Sequence, residues 1–439
     1  MTTDGLAGRR KLLIGAAGAT HAAGGGMLGT ALVVYVGRTG SPFAVSMLAT
    51  AFFVSSMVFS PLWGALGDLL GRRRSLLLVL SAFTSVITFG FLLADGVWGY
   101  VGFRGLRAAF AVAFGPLLLS IVRSLVGQTR RGRSVGFVSS TSAAGDVVAQ
   151  LSVGVLLGLL GPSSLFVVIG SLSLLTTALL AFLDEPRSSA DATPSLRELA
   201  SNARDRLLPD ATELARIRRT GLTWLYVGIA VRHVAVQGIG ALIPIYLVAR
   251  LGLPATVMGA ILAVGPATQI LVVPLVGRLA DRGERKRLVV GGILLSGLYT
   301  LLVAGASLPS RLPVRAAVAA AGFVTIATGF SAMDVGAISI IGDAVPASRE
   351  SAFVGLRATA AGAGGVLGPP IVGAAATVVG FEAAFAVAST FAFAAAALVA
   401  ARVRRPPSSS APPPNLGTVE TTTGIAQPPG AHRGEDGDR

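Results

Sequence analysis

The chain has 439 residues, of which 53% are hydrophobic and 13% charged, with a formal net charge of +15 and a mean hydropathy of +0.73. No soluble fold of this length hides so much apolar surface, so its solvent is lipid. The chain has no cysteine, which excludes disulfides, thiolate metal sites and cysteine nucleophiles.

A membrane-spanning helix needs about 20 apolar residues, and twelve such segments follow one another along the chain. The first, 12–36, comes after Arg9, Arg10 and Lys11. That start superficially resembles a signal peptide. Its apolar run of about 25 residues, with no convincing cleavage site, reads instead as a retained helix. Segments 43–67, 75–94, 97–122, 134–158 and 163–183 complete a first set of six. A polar stretch, 184–220, then reads as a linker, with a short surface helix predicted over 195–208. Segments 221–248, 254–277, 288–308, 314–341, 351–378 and 380–402 form the second six. Turns such as Gly40-Ser41-Pro42 and Gly161-Pro162-Ser163 separate neighbours. From 403 to 439 the composition turns to Pro, Ser, Thr and Gly, which reads as a disordered tail. The domain reading is therefore 1–183, 184–220, 221–402 and 403–439.

Two copies of one signature tie the halves together. Gly64-Ala65-Leu66-Gly67-Asp68-Leu69-Leu70-Gly71-Arg72-Arg73-Arg74 is matched by Gly277-Arg278-Leu279-Ala280-Asp281-Arg282-Gly283-Glu284-Arg285-Lys286-Arg287. Each is an elbow between long apolar runs, combining glycine for close approach, an acid at a helix end and a basic cluster at a membrane face. His21 and His233 each lie 17 residues before an arginine, Arg38 and Arg250. Six spans per half make the repeat parallel, with its axis along the membrane normal. Of the 36 Lys and Arg, 28 fall on the elbow side, four on the other (Arg38, Arg250, Arg311, Arg315) and four inside spans (Arg104, Arg107, Arg232, Arg357). This bias places both termini in the cytoplasm. The basic excess orients the protein and does not serve nucleic acid.

The elbow at Gly64 resembles the loop between helices 2 and 3 of the major facilitator superfamily. The Gly277 copy is similar to that family's weaker repeat between helices 8 and 9, with Glu284 in place of the second glycine. Arg104, followed by Pro116 and Arg131-Gly132, looks like the family's helix-4 arginine motif, with Arg107 where glutamine is usual. The fifth span partly matches the Gly-rich motif of drug–proton antiporters through Gly136 and Gly145, but ends in Ala149-Gln150 rather than Gly-Pro. An intact version stands in the eleventh span at Gly355, Gly364, Gly368 and Pro369. The resemblance covers residues 10 to 402. It implies an all-α membrane fold of 12 transmembrane helices in two pseudo-symmetric six-helix bundles, working by alternating access. It also implies that Gly64, Asp68, Gly71, Arg72 and Arg73, with Gly277, Asp281 and Arg285, latch the halves on the cytoplasmic side.

Ionisable groups within a bilayer cost about 2.5–3.5 kcal/mol each at a helix centre, so they want partners or water. Arg104 lies about 7 residues from the outer end of its span and Asp146 about 12 from the inner end of the next, roughly 10 and 18 Å. In a core about 30 Å thick these depths agree, so Arg104, or Arg107 a turn below, is expected to pair with Asp146. That pair either carries a proton or clamps two helices. His21 and His233, near the midplane, are proton-binding or interhelical candidates. Arg232, Gln237, Gln150, Gln269, Tyr35 and Tyr246 are candidates to contact substrate. Matching depth also suggests an Asp334–Arg357 pair near the cytoplasmic mouth, as a gate or as static glue.

No phosphate-binding Gly-x4-Gly-Lys-Ser/Thr loop is present, so ATP does not drive the chain directly. No nucleophile–base or His-x3-His spacing supports an enzyme. The reading is a monomeric secondary transporter of a prokaryotic plasma membrane, without cofactor or metal, coupling protons to efflux of small amphipathic or drug-like molecules. A proton symporter importing a sugar or organic acid is the alternative, and a non-transporting sensor or scaffold is a third.

Overall fold

The computed structural model describes residues 8–125, 131–184, 211–346 and 349–403. Lipid offers the backbone no hydrogen bonds, so every apolar run satisfies its own as a helix. Among the described residues, twelve helices long and apolar enough to cross a membrane result. They are α1 (Gly8–Val36), α2 (Pro42–Leu70), α3 (Arg73–Leu93), α4 (Gly96–Ser124), α5 (Gly136–Leu159) and α6 (Ser163–Ala181), then α7 (Leu222–Arg250), α8 (Ala255–Asp281), α9 (Arg285–Gly305), α10 (Leu312–Ala344), α11 (Ala352–Val379) and α12 (Phe381–Arg402). Each overlaps one of the segments expected from the sequence. The expected surface helix at 195–208 and residues 404–439 of the tail lie outside the described residues. The end of the stretch read as linker forms a helix of its own, Ala211–Thr220.

Local chemistry sets the breaks. Ser41 caps α2, its Oγ accepting from the Ala44 N–H at 3.3 Å, with Pro42 at the first helical position. Pro116 has no N–H to give Val112, and α4 loosens into a turn at 112–113. Pro244 interrupts α7 in the same way, and a π turn, Tyr246–Arg250, closes it.

The neighbours of each helix follow one rule in both halves. In the first half α1 packs on α5 and α6, α3 on α4 and α6, and α2 on α4. In the second half α7 packs on α11 and α12, α9 on α10 and α12, and α8 on α10. These lists are identical once six is added to each number, so the halves are pseudo-symmetric. Between halves the chief contacts are α5 with α8 and α2 with α11, which the same operation exchanges.

The apolar core is divided unevenly along the membrane normal. Towards the elbows there are two clusters, one around Leu77, Leu117 and Ile121 in the first half and one around Ile293, Ile341 and Phe353 in the second. On the opposite face one cluster joins both halves, from Leu28 and Leu32 through Val153 to Ile239, Leu242 and Met258. The halves are therefore sealed on the face away from the elbows and apart on the elbow face.

Small residues make that seal. A Cβ built on Gly154 of α5 would stand 2.7 Å from the Ala255 carbonyl oxygen and 3.0 Å from the Gly259 Cα of α8. A Cβ on Gly373 of α11 would collide with Ser46 of α2, and one on Gly37 would lie 2.6 Å from Ile245. A single hydrogen bond, Phe43 N–H to Thr377 Oγ1 at 3.0 Å, crosses the α2–α11 side of the seam among the described residues.

Candidate functional site

Below the seal, between the halves, lies a cavity of about 800 Å³. Its wall reaches Val138 and Ser139 in the elbow-side half of α5, so it opens towards the elbow face. Four polar positions of α5, Ser139, Ser142, Asp146 and Gln150, line it. Their spacing of three, four and four residues is one helical stripe. Opposite stand Gln237 of α7 and Gln269 of α8, with Tyr299 and Phe323. Leu48, Phe52 and Phe53 of α2 supply an apolar flank. Glycines of α1 let it close: a Cβ on Gly26 would sit 3.5 Å from Asp146 Oδ1, and one on Gly29 3.5 Å from Arg104 Nη2.

Arg104 and Asp146 are the charged groups on this wall. The expected pairing of Asp146 with Arg104 or Arg107 is not made in this conformation: among the described residues no ion pair joins them. The Arg104 guanidinium instead lies 5.0 Å over the Phe52 ring. Arg107 reaches away into the first half, where its Nε donates to Thr88 Oγ1 at 2.8 Å. Gln150 Oε1 accepts from Thr30 Oγ1 at 2.8 Å, which fixes its amide against α1.

Several other candidates do not reach the cavity. His21 stacks on Phe114, with centroids 3.8 Å apart and planes 4° apart. It shares a small side pocket with Arg107, Ser81, Thr84, Ser173 and Thr176. His233 is buried, its Nδ1 donating to the Ile229 carbonyl at 2.7 Å and its Nε2 facing Arg232 Nη1 at 3.3 Å. Arg232 is 1% exposed, its Nε donating to Ser296 Oγ at 2.9 Å and its guanidinium 5.6 Å over Phe330. Five residues along a helix turn it by about 140°, so Gln237 faces the cavity while Arg232 faces α9 and α10. Tyr35 packs edge-on against Tyr100 and Phe166 at 5.3 and 6.2 Å. Tyr246 is buried, its hydroxyl donating to the Val303 carbonyl at 2.9 Å among Phe381 and Phe385. The cavity's aromatic groups were not legible in the sequence, because an apolar residue on a spanning helix reads the same whether it meets lipid or ligand. The α5 stripe was legible by its spacing.

At the elbows, Gly71 takes φ 68°, a left-handed turn open to glycine, and ends α2. Arg73 Nη2 holds Asp68 at 3.1 Å, and the Gly67 position abuts Leu117 of α4. In the second elbow, Glu284 fills the place of the second glycine, and Gly283 supplies the left-handed turn at φ 85°. Arg285 pairs with Asp343 of α10, and Arg287 with Glu284 at 2.7 Å. Nothing lies within 4 Å of a Cβ on Gly277, so close helix approach does not explain that glycine here. Asp281 is exposed. Arg357 of α11 forms an ion pair with Asp334 of α10, both largely buried.

The family model for the Major Facilitator Superfamily matches residues 14–333 and 225–429. The chain belongs to this superfamily. Among sequence relatives of this facilitator, the multi-drug resistance efflux pump PmrA of Streptococcus pneumoniae is 24% identical over 356 residues, 80% of this chain and 84% of PmrA. Among solved structures, the nucleoside transporter NupG superposes with a TM-score of 0.73 at 12% identity, covering 90% of this chain and 99% of NupG. A bacterial homologue of the human lysosomal transporter Spinster, solved inward-facing and unoccupied, gives 0.70 at 16% identity, covering 92% of this chain and 98% of the homologue. The facilitator is a transporter, not an enzyme, and a multi-pass membrane protein.

Proposed function

We propose that this facilitator exports small amphipathic or drug-like molecules from a bacterial cytoplasm in exchange for protons. It acts as a monomer in the plasma membrane, with both termini and both elbows cytoplasmic. The observation that carries the reading is Asp146: the one carboxylate on the cavity wall, in a site whose flank is aromatic and aliphatic, with no basic residue bonded to it among the described residues. A carboxylate left without a fixed partner is free to exchange its occupant as the halves move. In the elbow-open state it releases a proton to the cytoplasm and accepts substrate. When the seam at Gly154–Gly259 and Ser46–Gly373 parts, it takes a proton from outside and substrate leaves.

The remaining groups divide the labour. Arg104 holds positive potential beside Asp146. The elbow residues Gly64, Asp68, Gly71, Arg72, Arg73, Gly277, Asp281 and Arg285 brace the cytoplasmic side when it closes, and Asp334–Arg357 acts as a cytoplasmic gate. PmrA, a multi-drug efflux pump by its own description, supports the direction.

Proteoliposomes with an imposed pH gradient test this, screening dyes, sugars and organic acids. Exchange requires substrate to move against the proton flow, and Asp146→Asn to abolish uphill movement. Co-directional flux identifies a sugar or acid symporter, and no flux a scaffold; either overturns the proposal.

A further inference from the structure

Deep in the spans, the other charges have polar partners. Arg107 bonds Thr88, Arg232 bonds Ser296, and Arg357 bonds Asp334. Arg104 and Asp146 do not: neither takes part in a hydrogen bond or ion pair with another described residue, and both face the cavity. Yet both rest against α1. The Gly29 and Gly26 positions they rest against are three residues apart on α1, which puts their Cβ positions about 5–6 Å apart. The wall therefore offers one cation and one anion, both unengaged and both bordering α1. Phe52 lies under the cation, and Phe53 and Phe323 border the same space.

A ligand with one charge satisfies one of these groups and strips water from the other without replacing it, which costs binding. A ligand carrying both charges satisfies both, through charge-assisted hydrogen bonds. We infer that the cavity selects amphipathic zwitterions, with the anionic group against Arg104, the ammonium against Asp146 and the apolar body on Phe52, Phe53 and Phe323. This rests on the proposed function only in taking the cavity as the substrate site. It also gives exchange a simple basis, since the substrate's ammonium and the proton compete for one carboxylate.

Equilibrium binding to the purified full chain, with no pH gradient, tests the inference. Three probes share one fluorophore: Nε-dansyl-lysine, its methyl ester and its Nα-acetyl derivative, which are zwitterion, cation and anion. The zwitterion is expected to bind at least about ten-fold tighter than either relative, which is about 1.4 kcal/mol. Arg104→Gln should erase the preference over the ester and leave that over the acetyl derivative. Asp146→Asn should do the reverse, while Arg104→Lys keeps both. Binding of all three within about two-fold by the wild-type chain overturns the inference, whether or not the variants fold. So does a zwitterion preference that survives in both neutralised variants. Gradient-driven flux is read separately: if it fails while the zwitterion preference holds, the exchange proposal falls and this one stands.

Discussion

Gly259→Ala adds one methyl group where two main chains meet in the seam between the halves. Its Cβ would stand 2.9 Å from the Gly154 Cα and closer still to the Gln150 carbonyl oxygen. Carbon–carbon contact is most favourable at about 3.5–4.0 Å, and both obstacles are backbone, so the helices must separate. Overpacking of this kind costs about 1–3 kcal/mol. The cost falls only on the conformation in which α5 and α8 touch here. Taking about 2 kcal/mol, the ratio of seam-open to seam-closed molecules rises about 30-fold. The absence of native cysteine makes the readout clean. Ser46→Cys, at a position 0% exposed beneath α11, reacts with maleimide only when the seam parts. Ser139→Cys, at the exposed mouth, reacts only while the elbow face is open. While the seam-open state is the minor one, the Ser46→Cys labelling rate follows its population. Adding Gly259→Ala should raise that rate ten-fold or more and slow labelling at Ser139→Cys. Rates within about two-fold at both sites would refute the idea that this glycine contact separates the two states.

Arg357→Leu leaves Asp334 without its ion-pair partner and should destabilise the protein at the lower end of roughly 3–5 kcal/mol, with Arg232 nearby softening the loss. Asp334→Leu with Arg357→Leu should recover most of it in thermal unfolding, and a double variant no more stable than the single one counts against the buried-pair account. Gly71→Ala forces a side chain into a left-handed turn and should cost about 1–2 kcal/mol. Gly277→Ala meets open space and should stay within about 0.5 kcal/mol; equal melting shifts would contradict the assignment of roles within the elbows. Cysteines placed singly at Arg72 and Arg285 should label from one side of intact cells, the cytoplasmic one, and labelling from opposite sides would break the parallel repeat.

Apolar run length located every membrane-spanning helix among the described residues, because in lipid no other structure satisfies the backbone. Depth counting worked where two side chains reach each other across adjacent helices, as with Asp334 and Arg357. It misled at Arg104, because depth says nothing of azimuth: at the right level, the guanidinium found the face of Phe52 rather than a carboxylate. Azimuth also decided the six candidates whose partners lie within one half, His21, Tyr35, Arg107, Arg232, His233 and Tyr246. Arg232 bonds Ser296 of α9, and Tyr246 a carbonyl of that same helix; such partners come from another helix, and spacing along one helix does not reveal them. Glutamines 150, 237 and 269 did reach the cavity, as did the α5 stripe that includes Asp146. The left-handed turn of the second elbow moved by one residue to Gly283, a substitution the motif hides because it counts positions rather than backbone angles.

The joint between the halves is built from glycine and main-chain contacts, with one hydrogen bond and no ion pair across it among the described residues. Coulomb screening therefore has no direct lever on that door, and added salt reaches its opening only through the other face. The other door is rimmed by arginines at the headgroup level, where leaflet composition and ionic strength do act. A membrane that gains or loses anionic lipid would thus shift the balance of the two states through the elbow face alone.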